Sequence, residues 1–281
     1  MKNQIKTLAT LGVLGASCAW LLRSRAAKWQ RESDAMIERL NAAATNISPN
    51  ETLSFSDFDD LPAPVAAYFR FALQDGQKQI RTATIRHEGQ FSLNKKWVPF
   101  ASTQHFSAHP AGFVWDAKLK MNRFLNVRVR DSFWNGRGAM KVKLLALFSV
   151  MDAHDDAALD AGSLMRYLAE AAWLPTALLP SENLKWATID DRRALATLSD
   201  GATTVALEFT FNERGEISEF FAPARVYSTK GELKSFPWRG RLWNYQERNG
   251  VMIPLEGEVS WQMPQGNEPY NRGKIVDVEY D

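Results

Sequence analysis

Arg166 and Glu170 stand four residues apart in Asp160–Trp173, where Leu164, Tyr167, Leu168 and Ala171 recur at helical spacing. On a helix that spacing sets guanidinium and carboxylate side by side. If exposed, the pair contributes only about 0.3–0.5 kcal/mol and has no further role. If it lines a cavity, it can orient the polar end of a ligand or take part in proton transfer, with Asp116 or Asp131 as a further carboxylate. Trp97, Trp115, Trp173, Trp186, Trp238, Trp243 and Trp261 pose the same choice. Indoles are core material by default, and apolar pockets are lined by the same side chains. The candidate ligand-binding set is Trp97, Trp115, Arg166, Glu170, Trp173 and Trp238. No catalytic residue is assigned.

The other chemistry-bearing types are weaker. His105 and His109 share an i, i+4 spacing, but the segment alternates like a strand, where that spacing separates them by ~13 Å. Asp152, His154, Asp155 and Asp156 crowd together without calcium-loop spacing. They read as an acidic turn before a helix, where negative charge suits the dipole. Cys18 is the one cysteine, so neither a disulfide nor a cysteine metal site is available. The sequence contains no nucleophile elbow, P-loop or dinucleotide fingerprint. No metal or cofactor is expected. A net charge of +2 gives no reason to expect nucleic acid as partner.

The elements that must position these residues are mostly strands. From Arg81 onward the apolar period is two, as in Val127 and Val129 alternating with Arg128 and Arg130. The strand-like segments begin Thr82–Leu93, Trp97–Phe106, Phe113–Met121, Phe124–Phe133 and Ala139–Val150, and continue after the helix to Ile275–Tyr280. Asn94-Lys95-Lys96, Asn135-Gly136, Asp200-Gly201 and Asn249-Gly250 mark turns. A second short helix opens at Pro62-Ala63-Pro64. So many antiparallel strands must curl, since open sheets rarely stay flat beyond ~10 strands. The expected fold is mainly β (α+β), a large curved antiparallel sheet or half barrel plugged by one or two helices.

Several stretches carry a resemblance together: Leu61-Pro62-x-Pro64-Val65, Trp97-Val98-Pro99-Phe100, Gly112-Phe113-Val114-Trp115-Asp116-Ala117 and Arg166-Tyr167-Leu168-Ala169-Glu170. With them go Trp173-Leu174-Pro175-Thr176-Ala177-Leu178-Leu179-Pro180, Gly215-Glu216-Ile217 with Ala224-Arg225, and Ile253-Pro254 with Glu258-Val259-x-Trp261. The set resembles a family of uncharacterised bacterial proteins of unknown function, from Leu61 to the end. The Trp173–Pro180 block is the most specific part. The inferred strand order is also similar to lipoprotein-carrier-like half barrels, a likeness of fold that implies no reaction.

Thr7–Leu22 is uncharged and flanked by Lys6 and Arg23. It reads as a short, uncleaved membrane helix, with cleavage after Ala26 as the alternative. The expected organisation is therefore 1–44 as anchor helix and extension, 45–60 as linker and 61–281 as one β-rich domain. That places the protein at the bacterial cell membrane as a single-pass protein, with the side of the domain open. The expected partners are the membrane and a lipid or other apolar small molecule. A hydrolase- or lyase-type enzyme and an envelope interaction module stand as alternatives.

Overall fold

The computed structural model describes residues 2–44, 52–229 and 232–281. Its elements in chain order are α1 (Lys2–Ala44), α2 (Ala63–Ala72), β1 (Thr82–Leu93), β2 (Lys96–Ser107), β3 (Gly112–Lys120), β4 (Asn126–Trp134), β5 (Arg137–Leu144) and β6 (Phe148–Ala153). After α3 (Ala157–Glu170) come β7 (Leu184–Asp190), β8 (Arg193–Asp200), β9 (Thr203–Phe211), β10 (Ile217–Thr229), β11 (Glu232–Arg248), β12 (Val251–Met263) and β13 (Gly266–Tyr280). Short 3-10 turns occupy Phe55–Phe58, Ala171–Trp173 and Pro175–Leu178.

Turn chemistry sets the strand pairing. Asn94 (φ 50) and Lys95 (φ 64), Asn135 (φ 52) and Gly136 (φ 74), and Asn249 (φ 52) and Gly250 (φ 81) are pairs in the left-handed region. Two-residue hairpins need that conformation to match strand twist. Ala139–Val150, expected as a single strand, reverses instead at Leu145 (φ 54) and Ala146 (φ 57). Neither residue type signals a turn, so the sequence does not betray the β5–β6 break.

The described strands form one sheet in the order β6-β5-β4-β3-β2-β1-β13-β12-β11-β10-β9-β8-β7. Two meanders therefore meet along a seam between β1 and β13, where Ala83 lies opposite Tyr280 and Ile85 opposite Val278. Between Arg86 and His87 a bulge bends the seam. The sheet curls into a half barrel around α2, α3 and the 3-10 turns that follow α3, which supply much of the buried core.

Because strand side chains alternate, β1 to β5 have two faces. Ala83, Phe106, Phe113 and Phe133 face inward in one cross-strand row, all fully buried or nearly so. Helix α3 lies inside. Asp156 caps it by accepting from the backbone N–H groups of Ala158 and Leu159. Asp160, in the first turn of α3, accepts from the Gly138 N–H at 2.7 Å and pairs with Arg137.

Helix α1 lies on the outer face of β2 and β3, placing Trp29, Ser33, Leu40 and Ala44 inward. Trp29 is 1% exposed. The close approach needs Gly112, where a Cβ would lie 2.5 Å from the Leu40 Cδ1 atom. These contacts correct one expectation: Ala26–Ala44 packs on the sheet rather than standing off a bilayer. The single-pass membrane placement is also overturned. Among the described residues no helix is long and apolar enough to cross a membrane. The uncharged run Thr7–Leu22 falls short of the ~20 residues a span requires. Of the stretch read as a linker, residues 45–51 lie outside the described residues. Leu53 and Phe58, just beyond, are buried in the core.

Candidate functional site

Gln104, Trp115, Asp131 and Met140 occupy one row across β2 to β5 on the concave face. Arg166, one turn before the end of α3, reaches down to that row. Its Nη1 donates to Asp131 Oδ2 at 2.6 Å and its Nε to Glu170 Oε1 at 2.9 Å. Gln104 Nε2 donates to Glu170 Oε2 at 2.8 Å. The guanidinium lies 4.9 Å from the Trp115 ring centre and 5.0 Å from that of Phe113, within cation–π range.

Burial alone disfavours the Arg166 charge, but the Glu170 and Asp131 carboxylates outweigh it and hold the guanidinium above its usual range. A cation so held is a fixture rather than a proton donor. Beside it, burial first and the Arg166 charge second push His87 down to about 3, so its ring is neutral at pH 7. His87 packs 4.8 Å from the Trp173 ring. Three buried polar atoms around this centre have no hydrogen-bond partner: Asp131 Oδ1, Gln104 Oε1 and His87 Nε2.

Across the trough, β10 to β13 present a second aromatic wall. The Arg225 guanidinium lies 4.2 Å from the Trp238 ring and 5.5 Å from that of Trp261. Arg225 Nη2 also donates to the Gly162 carbonyl of α3. Trp238 Nε1 donates to the Tyr270 hydroxyl at 3.0 Å. Tyr270 stacks on Trp261 and meets Phe91 edge-on.

The sequence-derived candidates therefore divide. Trp115, Arg166 and Glu170 come together at the polar centre, and Trp173 joins them through His87. Trp238 stands on the opposite wall and is only 2% exposed. Trp97 is not part of the set. It alternates to the outer face and lies 4.6 Å from the Arg272 guanidinium. Asp116 also points outward, accepting from Trp29 Nε1 and Ser33 Oγ, whereas Asp131 faces inward. Of the acidic cluster, Asp152 pairs with Lys141, His154 with Asp155, and Asp156 caps α3. Gln104 and His87 are absent from the candidate set drawn from the sequence. Gln104 had a signal: with Ser102 it interrupts the inward series Val98, Phe100, Phe106 on β2, and a polar residue there needs a partner.

Two concave rows run on past the polar centre. One is Ser102–Ala117–Val129–Val142–Met151 and the other Phe100–Leu119–Val127–Leu144–Phe148. Val127, Val129, Val142 and Leu144 are half-buried, while Met151 is 47% and Phe148 60% exposed. A cleft of about 360 Å³ lies on the outer face beside α1, and its walls include Asp34, His105, Asp116, Lys118 and Arg128.

Comparison with curated proteins yields no match. Among solved structures the chain is similar to a DUF1329 family protein from Desulfovibrio piger, at 8% identity over 79% of this chain and 94% of that one, with a TM-score of 0.42. It is likewise similar to a LolA superfamily protein from Nitrosomonas europaea, at 8% identity over 78% of this chain and 92% of that one, with a TM-score of 0.38. At such scores nothing about a ligand follows. The family model is more decisive, matching residues 59–280. The chain belongs to DUF6920, a family of unknown function.

Proposed function

We propose that the protein binds a lipid-like apolar or amphipathic ligand along the concave face, in the trough that α3 leaves uncovered. One observation carries this reading: the two apolar rows continue past α3 and end exposed at Met151 and Phe148. Inward faces of curled sheets are normally covered, because each Å² of apolar surface removed from water contributes about 25 cal/mol. An uncovered apolar strip continuous with the core is a surface awaiting a partner. The aromatic wall of Trp261, Tyr270 and Phe91 suits an acyl chain or ring system.

The test is native mass spectrometry of the purified full chain, followed by solvent extraction and titration with a fluorescent fatty acid. One molecule retained or taken up per chain is expected. Phe148→Asp and Met151→Asp, both at exposed positions, should weaken uptake at least tenfold while leaving the unfolding midpoint nearly unchanged. A protein that retains nothing and takes up no probe overturns the proposal, as does uptake indifferent to both substitutions.

A further inference from the structure

The end of the sheet where these rows emerge differs from the rest of the surface. Lys118 of β3, Arg128 of β4 and Lys143 of β5 lie in one row on the outer face. Like charges directly opposite one another destabilise a sheet. Arg128 lies 3.7 Å from Asp116, and Lys143 lies near Asp152 and 5.7 Å from the Trp29 ring centre, while no ion pair is found for Lys118 among the described residues. Lys120 and Arg123 add two more cations at the same end, and no ion pair is found for either among the described residues. Among these cations stand apolar side chains in solvent. Phe124, in the β3–β4 loop, is 81% exposed, Met121 in the same loop is 39% exposed, and Phe148 follows the β5–β6 turn at the same end of the sheet.

We infer that this end is a docking face for an anionic lipid bilayer. The inference rests on the trough reading and deepens it, since the trough would open toward the surface on which the protein sits. Interleaved cations and protruding apolar side chains match a layer of negative headgroups over a shallow apolar zone. The cations are drawn to the surface potential, and Phe124 and Phe148 bury into the boundary beneath. The contact is peripheral and needs no spanning helix. It also accounts for three like charges in register, a cost that an anionic partner offsets.

The test uses the full chain with Cys18→Ser and Phe124→Cys, carrying a polarity-sensitive nitrobenzoxadiazole label, so that the readout reports this face alone. A second chain carries the label at Glu213→Cys, on the exposed turn between β9 and β10. Phosphatidylglycerol vesicles should shift the 124 label to the blue and brighten it, with no change at 213. Phosphatidylcholine vesicles should do neither. Lys118→Gln, Lys120→Gln and Arg123→Gln together should weaken the response about a hundredfold, at roughly fivefold per cation. Raising ionic strength from about 0.01 to 0.15 M shortens the screening length from ~30 to ~8 Å and should weaken it in the unaltered charge background too.

An unchanged 124 label, an equal response to both lipids, or an equal response at both positions overturns the docking face. Uptake of a soluble fluorescent fatty acid without vesicles is measured in parallel. If uptake fails while the 124 label still responds, the trough reading falls and the docking face stands. If uptake persists while the label is silent, the reverse holds.

Discussion

Strands β3 and β4 carry two buried ionic clusters back to back, built from adjacent residues. Trp115 and Asp131 serve the concave face, Asp116 and Arg130 the convex one. The convex cluster is saturated. Asp116 Oδ2 accepts from Trp29 Nε1 at 2.6 Å and Ser33 Oγ at 2.5 Å, while Arg130 donates to Ser33 Oγ and the Trp29 carbonyl. The Arg130 guanidinium also lies 4.2 Å from the Trp29 ring. On the concave side, Asp131 Oδ1 and Gln104 Oε1 remain without donors. A saturated buried network fastens one element to another. One with unused acceptors keeps hydrogen-bonding capacity, which buried groups rarely leave unmet. The convex cluster is thus a fastening for α1, and the concave one, on the reading proposed above, lies under the ligand trough.

The largest effect is expected at Arg166. Arg166→Met strands two carboxylates inside the half barrel, and a loss of about 3–5 kcal/mol is expected in guanidinium denaturation. Adding Asp131→Asn and Glu170→Gln should recover most of it; no recovery would mean the three groups do not act as a unit. On the convex side Asp116→Ala removes the acceptor for Trp29 and Ser33. Hydrogen exchange should show α1 protection falling by about 2 kcal/mol while the sheet keeps its own. Equal loss in the sheet would show that α1 is not separately fastened.

Acid sharpens the same contrast. His87 is held neutral in the folded chain down to about 3 by burial, with Arg166 adding to the effect. The unfolded chain takes up the proton near 6.5. Between those values the unfolded state binds more protons, so stability falls as pH drops below 6.5, by up to ~1.4 kcal/mol per unit. Burial lowers His105 and His109 as well, so His87→Phe should flatten the slope without abolishing it. An unaltered slope would exclude His87 as a source. The smallest effect is expected for Gly112→Ala, where the new methyl meets Leu40. About 1 kcal/mol of α1 docking should be lost, with uptake of an apolar probe unchanged.

Much of the sheet was legible because alternation is local. Val127 to Arg130 declared both faces of β4 before any partner was known. The Arg166–Glu170 pair was legible for the same reason, being one helical turn. Its third member was not, since the sequence offered Asp116 and Asp131 equally. Their parity relative to α3 depends on a register set by β2 to β5 together. Trp97 misled because an indole carries no information about which face it takes. Residues 1–44 were legible as helix, but the surface on which Trp29, Ser33, Leu40 and Ala44 pack lies far along the chain, on β2 and β3.

The seam between β1 and β13 bears on how the molecule assembles. Arg81 and Asp281, which meet at its end, are 200 residues apart. Each meander can zip up by short hairpins, but the two halves stay separate until β13, the last strand in chain order, reaches β1. Closure of so long a loop is slow by topology alone. Until then β1 and β13 both present unpaired edges of the kind that recruit stray strands. Nascent chains should therefore need protection longest at the centre of the finished sheet, the part that ends up best covered.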